Sequence, residues 1–532
     1  MKKVFRTIAA ISILTVALSG CGSKTASTSG SSSSSANNKP FVYVAQQVVD
    51  SIDPAVGVDE TELISVINMY DPLFYPKRTN GSMDPVAHIA KSYQVSPDGK
   101  KYTIKLRNDV TFHSGNKLTA NDVVYSMERE LALKRGNSWL WDGLFTDGSI
   151  KAVDDNTVEF DLSKPYAPFI ASLTQLFIVD SQTVKKNTVS NDYGAKYLES
   201  HDAGSGPYTL GQWNRQSEID FKAYPKYYLG WKNSQFKNVQ MKFITEEATA
   251  KTLLISGQAD MVHEYLNTTA YEEFKKNSSL VVKEGPSAMI QEMPMNTKKA
   301  PTDDINVRKA IATAFDYNTA NKQINDGAAQ ARGPVPNMVK GNSPDLTMYK
   351  TNLDEAKAYL AKSKYAGQKL EVTYQYVAGD ATERQLGQLL TTDLAQIGIT
   401  VKVSEATWPQ ITQAVTKPDT TANFTMIYDT LKYPHVDSHT YGKYAKSAQG
   451  NYRSASWLDD PEVNQTLDDA RAAISQDDQL KLYEKAQDLI TALCPSIYIA
   501  DTTHRIAYQK DIKGYEFVPL MGYDIAFYYF SK

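Results

Sequence analysis

K-Y-T-I-K-L-R-N-D-V-T-F-H-S-G-N-K-L-T-A-N-D-V-V-Y-S-M-E-R-E-L, Lys101 to Leu131, holds two periodicities side by side. Over its first residues Tyr102, Ile104 and Leu106 fall on one face and Thr103, Lys105 and Arg107 on the other, the period of two of a half-buried strand. Thr119 and Asp122 then stand at capping-box spacing ahead of a helical run. A strand followed at once by a helix puts the chain among mixed α/β proteins rather than bundles or sandwiches.

The same alternation recurs outward from this stretch. D-D-I-N-V-R-K-A-I-A-T-A-F, Asp303 to Phe315, has an acidic start and repeats Val307, Ala310, Ile311 and Ala314 at helical spacing. Q-L-L-T-T-D-L-A-Q-I-G-I-T-V-K-V, Gln388 to Val403, reads as a helix stopped by Gly398 and then a strand through Ile399, Val401 and Val403. Asp477 to Leu493 reads as a helix ending before Pro495, with S-I-Y-I-A, Ser496 to Ala500, as the strand after it. Helix-then-strand units in both halves suggest two α/β lobes, and no fixed-period repeat marks a solenoid. The acidic pairs Glu246 with Glu247 and Asp303 with Asp304 suit helix starts, where negative charge meets the helix dipole.

Residues 1–20 carry Lys2, Lys3 and Arg6 ahead of an apolar stretch ending at Leu18, the pattern of an export signal and too short for a membrane span. L-S-G-C then resembles the lipobox of bacterial lipoproteins, which implies cleavage before Cys21 and lipid on its thiol. Residues 21–39 are rich in serine and poor in apolar side chains, a disordered tether with a mean reach of roughly 20–25 Å. The mature body is expected to be extracytoplasmic and held to the bacterial cell membrane by that lipid. A formal net charge of −3 over 532 residues offers no footprint for nucleic acid. With Cys21 lipidated, Cys494 is the remaining thiol, and its apolar setting favours a buried structural residue over a nucleophile. A chain of this length calls for two or three domains.

Four segments in order carry a resemblance to a known family: S-I-D-P-A around Asp53, Asp84 to Val123, G-S-G-P-Y-T-L from Gly204, and M-N-T-K-K-A-P-T-D-D-I-N-V-R-K-A-I-A from Met295. They are similar to the dipeptide and oligopeptide class, family 5, of extracytoplasmic solute-binding proteins that feed ABC importers. The resemblance implies an α/β two-lobe cleft with an extra inserted domain. The lobe I parts are expected at 40–69, 204–299 and 501–532, the inserted domain at 70–203 and lobe II at 300–500. It also implies a monomer that gives up its oligopeptide or peptide-like solute to a permease and ATPase complex, uses no cofactor and performs no chemistry. Within that family segment His113 reads as structural, and Gly204, Gly206 and Pro207 suit a turn leading into a strand.

K-Y-P-H-V-D-S-H, Lys432 to His439, is the stretch where the ligand question concentrates. In peptide-binding relatives the corresponding loop reads W-x-x-D-Y-x-x-P-D, with the first aspartate pairing the peptide's α-ammonium group. Matching Tyr433 and Asp437 to that pattern sets Lys432 on the amine-binding aspartate. If Lys432 faces the ligand, an anionic group is favoured there; if it points away, Asp429 or Asp437 takes the amine. By family position Trp408, Tyr428, Tyr433 and Tyr441 are expected near the cleft. His435 and His439 stand at i, i+4, as a metal or metal chelate such as nickel or haem would use, but Pro434 and the lack of helical periodicity argue for a loop. A receptor for a non-peptide anionic solute or a chelate is therefore the alternative. A secreted metallohydrolase is disfavoured, since no H-E-x-x-H is present.

Overall fold

A computed structural model describes residues 39–57, 59–78 and 82–532. The signal-like segment 1–20, Cys21 and all but Lys39 of the tether lie outside the described residues. Phe41–Ala45 is a fully buried run of aromatic and β-branched residues, as a strand covered on both faces must be. It lies parallel to Asn238–Phe243 on one side and to Met261–Val262 on the other. These belong to an eight-stranded sheet ordered Ile427–Thr430, Leu280–Pro294, Ser496–Gln509, Met261–Val262, Phe41–Ala45, Asn238–Phe243, Glu218–Ala223, Tyr208–Asn214.

Lys101–Leu106 is the strand its alternation predicted, with Tyr102, Ile104 and Leu106 buried. It pairs antiparallel with Ala90–Val95 and Thr157–Asp161 in a four-stranded sheet completed by Ile150–Asp154. The helix Ala120–Leu133 starts on the reciprocal Thr119 and Asp122 capping box and packs on this sheet. Their core draws on Leu73 to Ile178 together with Tyr433. The link back to the first strand's segment is ionic: buried Arg129 holds both oxygens of Asp53, at 2.7 and 2.5 Å.

A third sheet is wholly parallel, ordered Ile399–Ala406, Leu370–Val377, Phe424–Thr425, with the helices Ile305–Ala314 and Ala381–Ala395 among the elements around its core. Asp304 caps the first of these helices by accepting from Asn306 and Val307 backbone N–H groups. Leu280–Pro294 and Ser496–Gln509 pair along almost their whole length and connect the cores of the eight-stranded and three-stranded sheets. Val281, Ile506 and Tyr508 pack with Phe41 and Tyr43, whereas Met293, Ile497 and Ile499 pack with the three-stranded sheet. The register slips between Pro286 and Ile290, then again between Gln291 and Glu292, so the regular ladder is interrupted near its middle.

Close approach explains the glycines of G-S-G-P. A Cβ on Gly204 would stand 1.9 Å from the carbonyl oxygen of Met69, and the Gly206 N–H donates to that same oxygen at 2.9 Å. His113 is tied into this corner through Asp202 (2.5 Å) and the Gly206 carbonyl (2.9 Å), a structural role. Cys494 is fully buried at the end of the helix Gln476–Leu493, and burial pushes its thiol up to about 11, which leaves no thiolate for nucleophilic work. Among the described residues no helix is long and apolar enough to cross a membrane.

Candidate functional site

The parallel strands of the eight-stranded and three-stranded sheets aim their carboxyl ends at one cavity, the position where open α/β sheets take ligands. From the eight-stranded sheet it receives Tyr43, Ala45, Gln46 and Gln47, and His263 and Tyr265 just past Met261–Val262. From the three-stranded sheet it receives Val377 and Met426. Helices starting beside these strand ends add Asp59 and Glu60, Asp380 and Glu383, and Trp408. Tyr428 and Tyr452 complete an aromatic wall, and about 690 Å³ of empty space is enclosed, counting the solvent at the mouth.

Across the cavity, the indole N–H of Trp408 donates to Asp59 Oδ2 at 3.1 Å and the Asp380 carboxylate is hydrogen-bonded by the Gln46 side chain. On the side of the eight-stranded sheet the rings of Tyr265 and Tyr428 meet edge to face at 5.7 Å. Asp59 and Asp380 cap the helices Glu60–Met69 and Ala381–Ala395, which is why carboxylates stand at this mouth at all. The lining holds four carboxylates, Asp59, Glu60, Asp380 and Glu383, and no lysine or arginine. Burial dominates their ionisation: Asp59 and Asp380 are pushed up to about 6, and Glu60 and Glu383 well above the ordinary carboxylate range. Burial also holds the His263 imidazole neutral, its pKa lowered to about 3.

Of the residues singled out in the sequence, Trp408 and Tyr428 line this cavity. Lys432 does not; it is 4% exposed, with Nζ 5.4 Å from the centroid of the lining ring of Tyr452. Burial, then the neighbouring Arg453, lowers its ammonium pKa to about 7. Asp429 is fully buried and accepts from Arg453 Nε at 2.5 Å and Nη2 at 3.0 Å, with His439 Nδ1 at 2.8 Å and Lys443 Nζ at 3.5 Å. Asp437 accepts from Tyr433 (2.6 Å), Tyr483 (2.7 Å) and Arg471 (2.7 Å), whose guanidinium lies 3.1 Å from the centroid of the Tyr441 ring. Burial pushes Asp429 and Asp437 up, but their neighbours' charges and hydrogen bonds together, led by Arg453 and Arg471, hold both below the usual carboxylate range.

The loop expected for Lys432 to His439 is corrected from Asp437 onward, because Asp437–Tyr444 is a helix. Every residue of that helix is buried, so no polar face exists to give an amphipathic period. The two histidines do not converge. His435 Nε2 meets Gln479 at 3.3 Å, and His439 lies between Asp429 and the Ala288 carbonyl. Sequence reasoning missed Asp59, Glu60, His263, Tyr265, Asp380, Glu383 and Tyr452. The signals available were D-E-T-E at Asp59 to Glu62 and D-A-T-E at Asp380 to Glu383, acid pairs at the spacing that marks a helix start.

The model of the family described as bacterial extracellular solute-binding proteins, family 5 Middle, matches residues 84–451. The probable D,D-dipeptide-binding periplasmic protein DdpA of Escherichia coli strain K12 is 27% identical over 478 residues, covering 88% of this chain and 90% of that one. The solved DppA of Helicobacter pylori in complex with the peptide STSA superposes with a TM-score of 0.84 at 23% identity, covering 93% of this chain and 98% of that one. NikZ of Campylobacter jejuni in complex with Ni(L-His) superposes with a TM-score of 0.81 at 20% identity, covering 93% and 99%.

Proposed function

Since the chain belongs to the family 5 bacterial extracellular solute-binding proteins, we propose that it captures a peptide or peptide-like solute in this cavity and delivers it to the permease and ATPase of an ABC importer. It is a binding protein and not an enzyme, in keeping with its relatives. The observation that carries the reading is the cavity's lining, drawn from the strand ends of two sheets and bridged by Trp408 on Asp59. A ligand that touches both walls favours the closed arrangement, and capture is that shift of population. We read residues 40–69, 204–299 and 501–532 as lobe I, 300–500 as lobe II and 70–203 as the inserted domain. Three sheets with largely separate cores support the division. Export, lipid on Cys21 and a monomeric body complete the proposal.

The alternatives of the sequence reading meet physical objections in the lining. An anionic solute would face four carboxyl groups and no lysine or arginine, so the lining supplies no cation to offset the cost of burying its charge. For a metal chelate, the imidazole within reach is His263. Its Nδ1 accepts the Tyr265 backbone N–H at 3.1 Å, which leaves the proton on Nε2 and no lone pair there for a metal. The test is a native mass spectrum of the freshly purified protein compared with its denatured mass. A spread of adducts with peptide masses is the expected result. One sharp metal-containing adduct would overturn the reading.

A further inference from the structure

Glu60 opens the helix Glu60–Met69 and stands half-buried on the cavity wall. Its Oε2 accepts from the Tyr265 hydroxyl, and among the described residues its Oε1 has no hydrogen-bond partner. The groups facing it are mostly acids: Glu264 after the strand Met261–Val262, Asp524 near the C-terminal end, and Asp59 one residue before it. Tyr43 and Tyr265 supply hydroxyls, His504 meets Glu264 at 2.8 Å, and Tyr515 bridges His504 and Asp524 at 2.6 and 3.0 Å. Cations lie in electrostatic reach only at the margins, Lys432 toward Asp59 and Arg78 toward Asp524. Burial and the Glu264 carboxylate push Glu60 upward, and burial pushes Glu264 itself to about 8. The wall is built to receive positive charge and holds protons without it.

A second observation, independent of the acids, lies beside them. His263 is 4% exposed and lines the same cavity, yet its Nε2 has no hydrogen-bond partner. With Nδ1 accepting from Tyr265, that Nε2 carries the proton, so a buried donor points at nothing the protein supplies. Tyr265 joins the two groups, its backbone N–H on His263 and its hydroxyl on Glu60. An acid and a neutral donor set side by side match a ligand whose cation is followed closely by an acceptor. The first residue of a peptide has that arrangement, its α-ammonium group one carbon away from its carbonyl. The acids that the family resemblance offered for the amine, Asp429 and Asp437, are closed over by Arg453 and Arg471.

We propose that Glu60 and His263 form the subsite for the first residue of the bound peptide, Glu60 taking its α-ammonium group and His263 Nε2–H its carbonyl oxygen. The assignment rests on the peptide reading above. As the ammonium enters, the carboxyl groups around Glu60 ionise and their protons leave to solvent, so binding at neutral pH releases protons.

The full chain, freed of bound solute, is titrated calorimetrically with di-, tri- and tetra-alanine and with their N-acetyl forms. Wild type should prefer the free amine by about 30-fold, the worth of a charged hydrogen-bonded pair. Glu60→Gln should abolish that preference by bringing the free-amine affinity down to that of the acetylated peptides, and His263→Phe should weaken both series about tenfold. Wild-type heats compared in phosphate and in Tris at pH 7 should show net proton release, a readout that holds even where a variant folds poorly. Retained preference in folded Glu60→Gln, or no proton release by wild type, would overturn the subsite. Failure of every peptide to bind wild type would instead overturn the peptide reading beneath it.

Discussion

Asp429 illustrates how a carboxylate that sequence pattern assigns to a ligand becomes part of the protein's own charge balance. Arg453, Lys443 and His439 surround it in a site sealed from water, and Glu292 takes the other side of Lys443. Removing one partner of such a set leaves the remaining charges buried and unbalanced. Asp429→Asn should therefore lower unfolding free energy at pH 7 by about 3–5 kcal/mol, measured by urea titration. The sign with pH follows from a carboxyl held below its ordinary 3.8. The wild type's advantage is fully present above that value and disappears as the pH falls far enough to protonate the folded Asp429. An advantage that persisted unchanged to pH 2 would contradict the ion cluster. Lys432 lies close to this cluster; burial first, and then the same positive neighbour, Arg453, lowers its pKa to about 7.

At the scale of elements, Gly204 and Gly206 fix how the chain re-enters the eight-stranded sheet at Tyr208–Asn214. Their backbone passes so close to Met69 that any side chain must displace the end of the helix Glu60–Met69, whose other end carries Asp59 and Glu60. Gly204→Ala should cost about 1–3 kcal/mol, the usual range for overpacking. Peptide affinity should fall with it, which separates a local clash from one that shifts the helix bearing the site. Elements with one wet face were legible beforehand: Lys101–Leu106 by alternation, Ala120–Leu133 by its box, Ile305–Ala314 by its apolar stripe. Asp437–Tyr444 was not, because a helix buried all round has no contrast to read. The site was legible only at Trp408 and Tyr428, through family position. Its acids sit at junctions where a strand ends and a helix begins, and nothing local says that Asp59, His263 and Asp380 will share a cavity.

For the whole molecule, the irregular middle of the Leu280–Pro294 and Ser496–Gln509 pair lies between the core of the eight-stranded sheet and that of the three-stranded sheet. Contacts that cross the cavity then set how much of the protein is ready for ligand. Trp408 on Asp59 is one direct polar contact and Gln46 on Asp380 another. Trp408→Phe keeps a ring against Tyr452 and removes the donor, leaving Asp59 with its helix cap alone. Affinity for the bound peptide should drop roughly tenfold, with the scattering radius of the ligand-free protein increased. Unchanged affinity would mean that this contact is equally strong in open and closed arrangements, and so does not bias capture.

The packing of Phe41 sets an order of events in the life of the chain. Its ring rests on Phe236, Phe527 and Phe530, and the backbone of Ser531 bridges to both Gln235 and Lys513. The strand Phe41–Ala45 is made long before Phe527 and Phe530, two of the rings that cover it. Contacts so distant in sequence form slowly and leave apolar surface exposed meanwhile. A chain interrupted before Phe527 would keep its central strand uncovered however well its other sheets had formed. Closure of the first core thereby waits until synthesis has passed Phe530.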